Sequence, residues 1–334
     1  MHLVSVYLYT YYTRTRKTIN TFFVIYYVEM WYIHCMVKFY TLKSNRGLEV
    51  TFTNLGASIY LIKFYDEIMT LTPSTIKDFK RKNIYHGKTI GPIANRVDHG
   101  SLIIEGKEYR YDINEGDNSL HSGKKGISNK VFDTELKDKE IIFTLKDKDV
   151  TYKISYELKG YSLYVTHEVK VNKDMPISLT NHAYFCLGDS NLDNLSLTIP
   201  SSRFIYSRKE DLIPLEERKI VPCLDFNKAK KIMDEIDTPF LVDHTTKGYD
   251  HCLLLDKGDI VLANEKYQLN VSTTYPAVHI YSDNYEDHIS FMTSKQKIHK
   301  GLAIEPEDNL LNRPLIHKGE TYLRKISYKF AKLK

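Results

Sequence analysis

The sequence predicts an all-β protein, one large single-domain antiparallel β-sandwich, and three observations carry the prediction. Apolar residues recur at every second position from residue 47 onward, helical patterning is confined to short pieces, and no repeat, low-complexity linker or Pro/Gly-rich hinge divides the chain. At 334 residues the chain is long enough to bury a large core as one β domain.

The elements follow in order. VFDTELK and EIIFTLKD read as two strands bounded by the polar turns KDKE and KDKD. In VTYKISYELK (150–159), Tyr152, Ile154, Tyr156 and Leu158 share one face, while Thr151, Lys153, Ser155 and Glu157 share the other. After a turn at Lys159-Gly160, YSLYVTHEVKV repeats the pattern with Tyr161, Leu163, Val165, Val169 and Val171. A meander with one wet face is what antiparallel sheets permit and parallel sheets rarely do. LTNHAYFCLGD (179–189) should then carry the sheet on. Instead it sets His182 between Asn181 and two aromatics, Tyr184 and Phe185, and stops at Gly188. The best helical segment is NKAKKIMDEI (227–236).

Residues 1–35 stand apart from this pattern. They are rich in Tyr, Thr and Ile, with no lasting alternation and no turn signals. Their apolar part carries Glu29 at its middle and is short for a membrane span, and no A-x-A site marks a cleaved signal peptide. The residue types are those of AT-rich codons, so the expectation is a leader outside the domain, with translation beginning at Met36 and the folded unit covering 37–334.

Composition is that of a soluble globular chain: 42% hydrophobic, 27% charged, mean hydropathy −0.38. The formal charge of +5 is mild, and basic clusters such as KDFKRK (77–82) and KAKK (228–231) are short and lack interleaved aromatics. They read as solvated faces, so neither a nucleic-acid partner nor a membrane is expected. The four cysteines, Cys35, Cys186, Cys223 and Cys252, form no CxxC pair, which suits a reducing cytoplasm and argues against a zinc site.

Five polar clusters fall at strand ends or turns: IANRVDHG (93–100), NSLHSG (118–123), LTNHAYF (179–185), KGYDHCLL (247–254) and AIEPEDN (303–309). Taken singly, Asn95 and Asn118 read as turn formers, Asp250 as a turn cap and His251 as a core residue. His182 and Glu305 carry more. The first titrates near neutrality, and the second follows an apolar run and precedes Pro306, where burial raises a carboxyl's proton affinity. Together they form an acid–base pair, with no HExxH, GxSxG, GxGxxG or P-loop elsewhere.

In this order the clusters resemble the aldose 1-epimerase (galactose mutarotase) family, from about Leu48 to Phe330. VTFTNLGASI (50–59), GPIANRV (91–97), NSLHSG, SLTNHAYF, DLIPLEERKIVPCLDF (211–226), GYDHC (248–252) and AIEPEDNLLNRPLIHKGETY (303–322) are its landmarks. The resemblance implies the family's large supersandwich, a small aldose as substrate, and neither cofactor nor metal. It implies that His182 is the general acid and Glu305 the general base. Asn95, Arg96, His121 and Asp250 then hold sugar hydroxyls, and His279 falls where some members place a sugar-contacting Gln. A bell-shaped pH profile follows, with its acid limb from Glu305 and its basic limb from His182. Departures are Pro92 for a common Arg, Ser122 for a Gly, Cys186 for an Asn, and Glu307 for a Gln. Three rivals stay open: a hexose-6-phosphate 1-epimerase of the same fold, a non-catalytic sugar-binding sandwich, and a glycosidase using Asp250 and Glu305. Monomer and homodimer are equally compatible with the sequence.

Overall fold

The computed structural model describes residues 37–242 and 247–333. Of the leader it describes the backbone of two short strands, Val6–Tyr9 and Ile25–Val28, which pair antiparallel with each other. The rest of residues 1–35, and the expectation placed on them, lie outside the described residues.

Val150–Lys159 is the third strand of a nine-stranded antiparallel sheet. The strand order is Asp133–Leu136, Glu140–Asp147, Val150–Lys159, Ser162–Val171, Thr321–Lys332, Tyr267–Thr273, Ile260–Ala263, Ser196–Thr198 and Lys230–Lys231. Val150–Lys159 joins Ser162–Val171 as a hairpin, with Lys159 opposite Ser162 and Gly160 at φ +57° in the two-residue loop. Val150, Tyr152, Ile154, Tyr156 and Leu158 are buried and the residues between them are not, as alternation requires. His167 shares the buried face of the next strand, where its Nδ1 meets the Tyr275 hydroxyl at 2.7 Å.

Two smaller sheets cover the inner face of this large one. The first contains Phe39–Lys43, Leu48–Thr53, Ser58–Phe64 and Glu67–Ile68, and it seats Phe52 on Tyr156 at 4.8 Å between ring centroids. The second runs Tyr184–Phe185, Leu302–Glu307, Ala277–Tyr281, Asp250–Leu254, Arg203–Ser207, Pro214–Lys219. Its inner face gives Phe185, Leu253, Val278, Ile280, Leu302 and Ile304 to the main core. Fully burying an aliphatic or aromatic side chain of this size contributes about 1.5–3 kcal/mol. The alternate residues, Asp250, His279, Glu305 and Glu307, must then point to the opposite face. They are polar groups buried away from solvent, so each needs a partner.

The helical expectation at 227–236 is corrected. Lys230–Lys231 pairs with Ser196–Thr198 as the edge of the large sheet, and Ile232–Glu235 is a single 3₁₀ turn. Lys230 Nζ donates to the carbonyls of Pro222 and Cys223, which ties the segment to the 3₁₀ turn at Pro222–Leu224. The two short α-helices among the described residues are Ile76–Phe79 and Pro239–Val242.

Candidate active site

Three adjacent strands place the central residues. His279 lies directly opposite Glu305 on one side and Cys252 on the other. Asp250 and Glu307 stand two residues along the flanking strands, on the same face. His251, between Asp250 and Cys252, turns to the core side, where its ring lies 5.8 Å from Phe240. Its Nδ1 accepts from the Asp250 backbone N–H at 3.0 Å.

His182 comes from outside this sheet. Thr180–Asn181 pairs with Thr89–Ile90, and the His182 carbonyl then accepts from Gly87 N at 2.8 Å while its N–H donates to Lys88 O. Gly87 has φ +71°, and a Cβ there would lie 1.8 Å from the Ile59 carbonyl oxygen, so only glycine fits. Asn181 does not orient the imidazole. Its amide donates to Gly87 O at 3.1 Å. Aromatic stacking holds the ring instead, with Tyr184 at 5.1 Å and Tyr85 at 5.9 Å on near-parallel planes.

All seven residues singled out in the sequence line one pocket of about 210 Å³. His182 Nε2 and Glu305 Oε1 face each other at 3.4 Å, with both side chains buried. Burial holds His182 down to about 3, and its Nδ1 has no protein partner to share an added proton. Burial pushes Glu305 well above the usual carboxylate range, with Glu307 and Asp250 adding to it and His279 opposing. The free pair therefore keeps one proton, and that proton sits on the carboxyl. On that order of proton affinities the imidazole would govern the acid side of a pH profile and the carboxyl the basic side, opposite to the expected limbs.

Asp250 is fixed from two directions. Arg96 Nη1 lies 3.6 Å from Oδ2 and His279 Nε2 lies 2.5 Å from Oδ1. Burial alone would raise this carboxyl, but the two cationic partners outweigh it and hold it well below the ordinary range. Arg96 is aimed by Glu115 through a bidentate pair at 2.7 and 3.1 Å. His121 accepts at Nδ1 from Asn95 N, which leaves Nε2 as its protonated nitrogen, and burial keeps the ring neutral. Asn95 and His121 both take positive φ, 63° and 54°, where a hydrogen-bonded turn must hold them. Ser122, also left-handed at 65°, bridges the N–H and carbonyl of Ile93 through its hydroxyl.

Sequence reasoning missed Tyr85, Glu115, Tyr281, Tyr285 and Asp287, which also line the pocket. Tyr281 was within reach of it, two residues along from His279 on the same face. The others sit in loops that carry no periodic signal. His86, Asp283 and Asp287 come close enough together to hold a cation, but the Lys300 ammonium already lies 2.6 Å from Asp283 and 3.5 Å from Asp287.

A buried imidazole and carboxyl facing each other in a hydrogen-bonding pocket of a β-sandwich are groups that can pass protons, the chemistry of acid–base enzymes. The chain belongs to the aldose 1-epimerase family, whose description matches residues 38–329, and it is therefore an isomerase. It is 28% identical to the galactose mutarotase of Sus scrofa over 322 residues, covering 86% of this chain and 92% of that protein. It is 28% identical to the aldose 1-epimerase of Escherichia coli K12 over 338 residues, covering 87% and 94%. The fold is that of the galactose 1-epimerase of Lactobacillus acidophilus NCFM, with a TM-score of 0.80 at 21% identity over 99% of this chain and 100% of that one.

Proposed function

We propose that this enzyme interconverts the α and β anomers of an unphosphorylated hexose of glucose or galactose type, with Glu305 and His182 as its proton carriers. The observation that carries the reading is the mutual approach of these two buried groups at 3.4 Å on the pocket floor. In ring opening, ionised Glu305 takes the O1 proton, the C1–O5 bond breaks, and protonated His182 delivers a proton to O5. The aldehyde turns about C1–C2, and reclosure returns both protons. Opening leaves a carboxylic acid and a neutral imidazole, the same state that burial favours in the free site. Both proton arrangements thus lie on the reaction cycle, and the pair's net charge never changes. Asn95, Arg96, His121 and Asp250 are the proposed hydroxyl ligands.

The charge of the pocket supports a neutral sugar over a 6-phosphate. Glu115, Asp250, Asp287 and Glu305 line it, and its guanidinium, Arg96, is committed to Glu115 and Asp250. A glycosidase role is disfavoured because both Asp250 oxygens are engaged, by Arg96 and His279, and because a two-carboxylate mechanism leaves His182, 3.4 Å from Glu305, without a task. Polarimetry on freshly dissolved α-D-glucose and α-D-galactose should show accelerated mutarotation without hydrolysis. Glucose 6-phosphate should have kcat/KM at least about 100-fold lower, since like-charge juxtaposition costs several kcal/mol. Equal use of the phosphate would overturn the neutral-sugar reading, and binding without mutarotation would leave a sugar-binding module.

We further propose that residues 37–334 suffice for folding and activity, and that the enzyme works in the cytoplasm. The family match begins at residue 38, and Cys186, Cys223 and Cys252 are all unpaired. No helix among the described residues is long and apolar enough to cross a membrane. A chain starting at Met36 should melt within a few degrees of the full chain and keep its kcat. Aggregation of the shorter chain would make the leader a structural element.

A further inference from the structure

The ring of His279 is used at both nitrogens, and one of them is contested. Nε2 meets Asp250 at 2.5 Å. Nδ1 meets two groups that cannot both be satisfied: the Asn95 amide nitrogen at 2.9 Å and Glu307 Oε1 at 3.3 Å. The Asn95 amide cannot be turned end for end without loss, because its Oδ1 accepts from Arg96 N at 2.8 Å. Asn95 therefore offers a donor to Nδ1, which only an unprotonated nitrogen can accept. Glu307 offers a buried acceptor with no other hydrogen-bond partner for Oε1, which suits a protonated Nδ1.

We propose that His279 is a positioning residue rather than a direct sugar ligand, and that its Nδ1 chooses between Glu307 and the Asn95 amide. When the ring is charged it engages Glu307 and releases the Asn95 amide to a sugar hydroxyl. When the ring is neutral it ties that amide down. In both states Nε2–H holds Asp250 in place.

The surroundings favour the charged ring. Burial works against it, but hydrogen bonds with Asp250, Cys252 and Glu307 outweigh burial and hold its proton affinity well above the ordinary value. Besides those three, the ring faces Glu305 on the neighbouring strand and interacts with His121 and His182 across the pocket, while Arg96 pairs with the same Asp250. Arg313, buried beyond Glu307, donates to the carbonyls of Ala94 and Arg96 and so fixes the backbone on both sides of Asn95. Glu307 is then the counter-charge that keeps His279 in its sugar-accepting state. This rests on the proposed role of Asn95 as a hydroxyl ligand.

The test is Glu307→Gln, assayed by polarimetry at pH 5.5 and pH 7.5 alongside His279→Gln/Glu307→Gln. At pH 7.5 the single variant should raise KM about tenfold, roughly the worth of one hydrogen bond, with kcat within about threefold. At pH 5.5 its KM should fall back toward the wild-type value as the ring regains its proton. That recovery should vanish in the double variant, which has no ring to titrate. An unchanged KM, an equal rise at both pH values, or a loss confined to kcat would overturn the proposal. Imidazole NMR of the wild type gives a readout that needs neither variant folding nor turnover. The His279 ring should remain charged through neutral pH, and a neutral ring at pH 7 would also overturn it. Absence of mutarotation in the wild type would instead fault the functional reading.

Discussion

Glu305→Gln and His182→Asn should each lower kcat by about two to four orders of magnitude with little change in KM, the effect expected for losing one general catalyst. Both replacements keep size and hydrogen bonding but carry no transferable proton at the working pH. Because the two groups act in one step, the double variant should lose far less than the sum of the single losses. Both anomers should be affected equally, since they share one open-chain intermediate. The wild-type pH profile follows from the shared proton. The pair works while it holds one proton, so kcat/KM should stay flat from about pH 4 through neutrality and fall only beyond both coupled ionisations. The acid limb sits low because burial holds His182 to about 3, and the basic limb sits high because burial raises Glu305. An acid limb near an ordinary carboxylate value would show that water reaches the pair in the free enzyme. Near wild-type mutarotation in Glu305→Gln would remove Glu305 as the base.

How much of this was legible in the sequence depends on the range of each interaction. The alternation in 150–159 was readable because burial and side-chain direction share the same period of two. The site residues were readable as polar clusters at strand ends, and their order along the chain carried the resemblance. Their partners were not. Asn95 meets His279 across 184 residues, and Arg81 reaches the carbonyl of Asp287 across 206. Glu115 and Tyr85 reach the pocket from loops, where neither period nor propensity marks a residue. The segment 227–236 misled because its lysines and spaced isoleucines fit a helix, while strand pairing with Ser196–Thr198 decided the outcome. Local pattern is a weak prior against a tertiary hydrogen bond.

Lys300→Met should destabilise the fold by about 3–5 kcal/mol at neutral pH, the range for stripping one partner from a buried ion pair. The side chains of Lys300 and Asp283 are 1% and 2% exposed, and the ammonium also donates to the Lys297 carbonyl at 2.8 Å. Burial already raises Asp283 to about 6 despite the lysine, and Asp287 is raised as well. A carboxyl raised above its unfolded value stabilises the fold below that unfolded value, and the benefit is lost as pH rises through the folded one. Without the ammonium both carboxyls rise further, so the deficit should grow above pH 6 and shrink toward pH 5. The melting temperature should drop on the order of 10 °C at pH 8 and clearly less at pH 5. The consequence reaches the pocket, because Asp287 and Tyr281 line it and Tyr281 packs edge-on against Tyr184 at 6.0 Å. Tyr184 in turn stacks on His182, so loosening this cluster should cost activity before it costs the fold. An equal melting shift at pH 5 and pH 8 would mean that Lys300 holds the loop by packing alone, and that its charge does not balance the two aspartates.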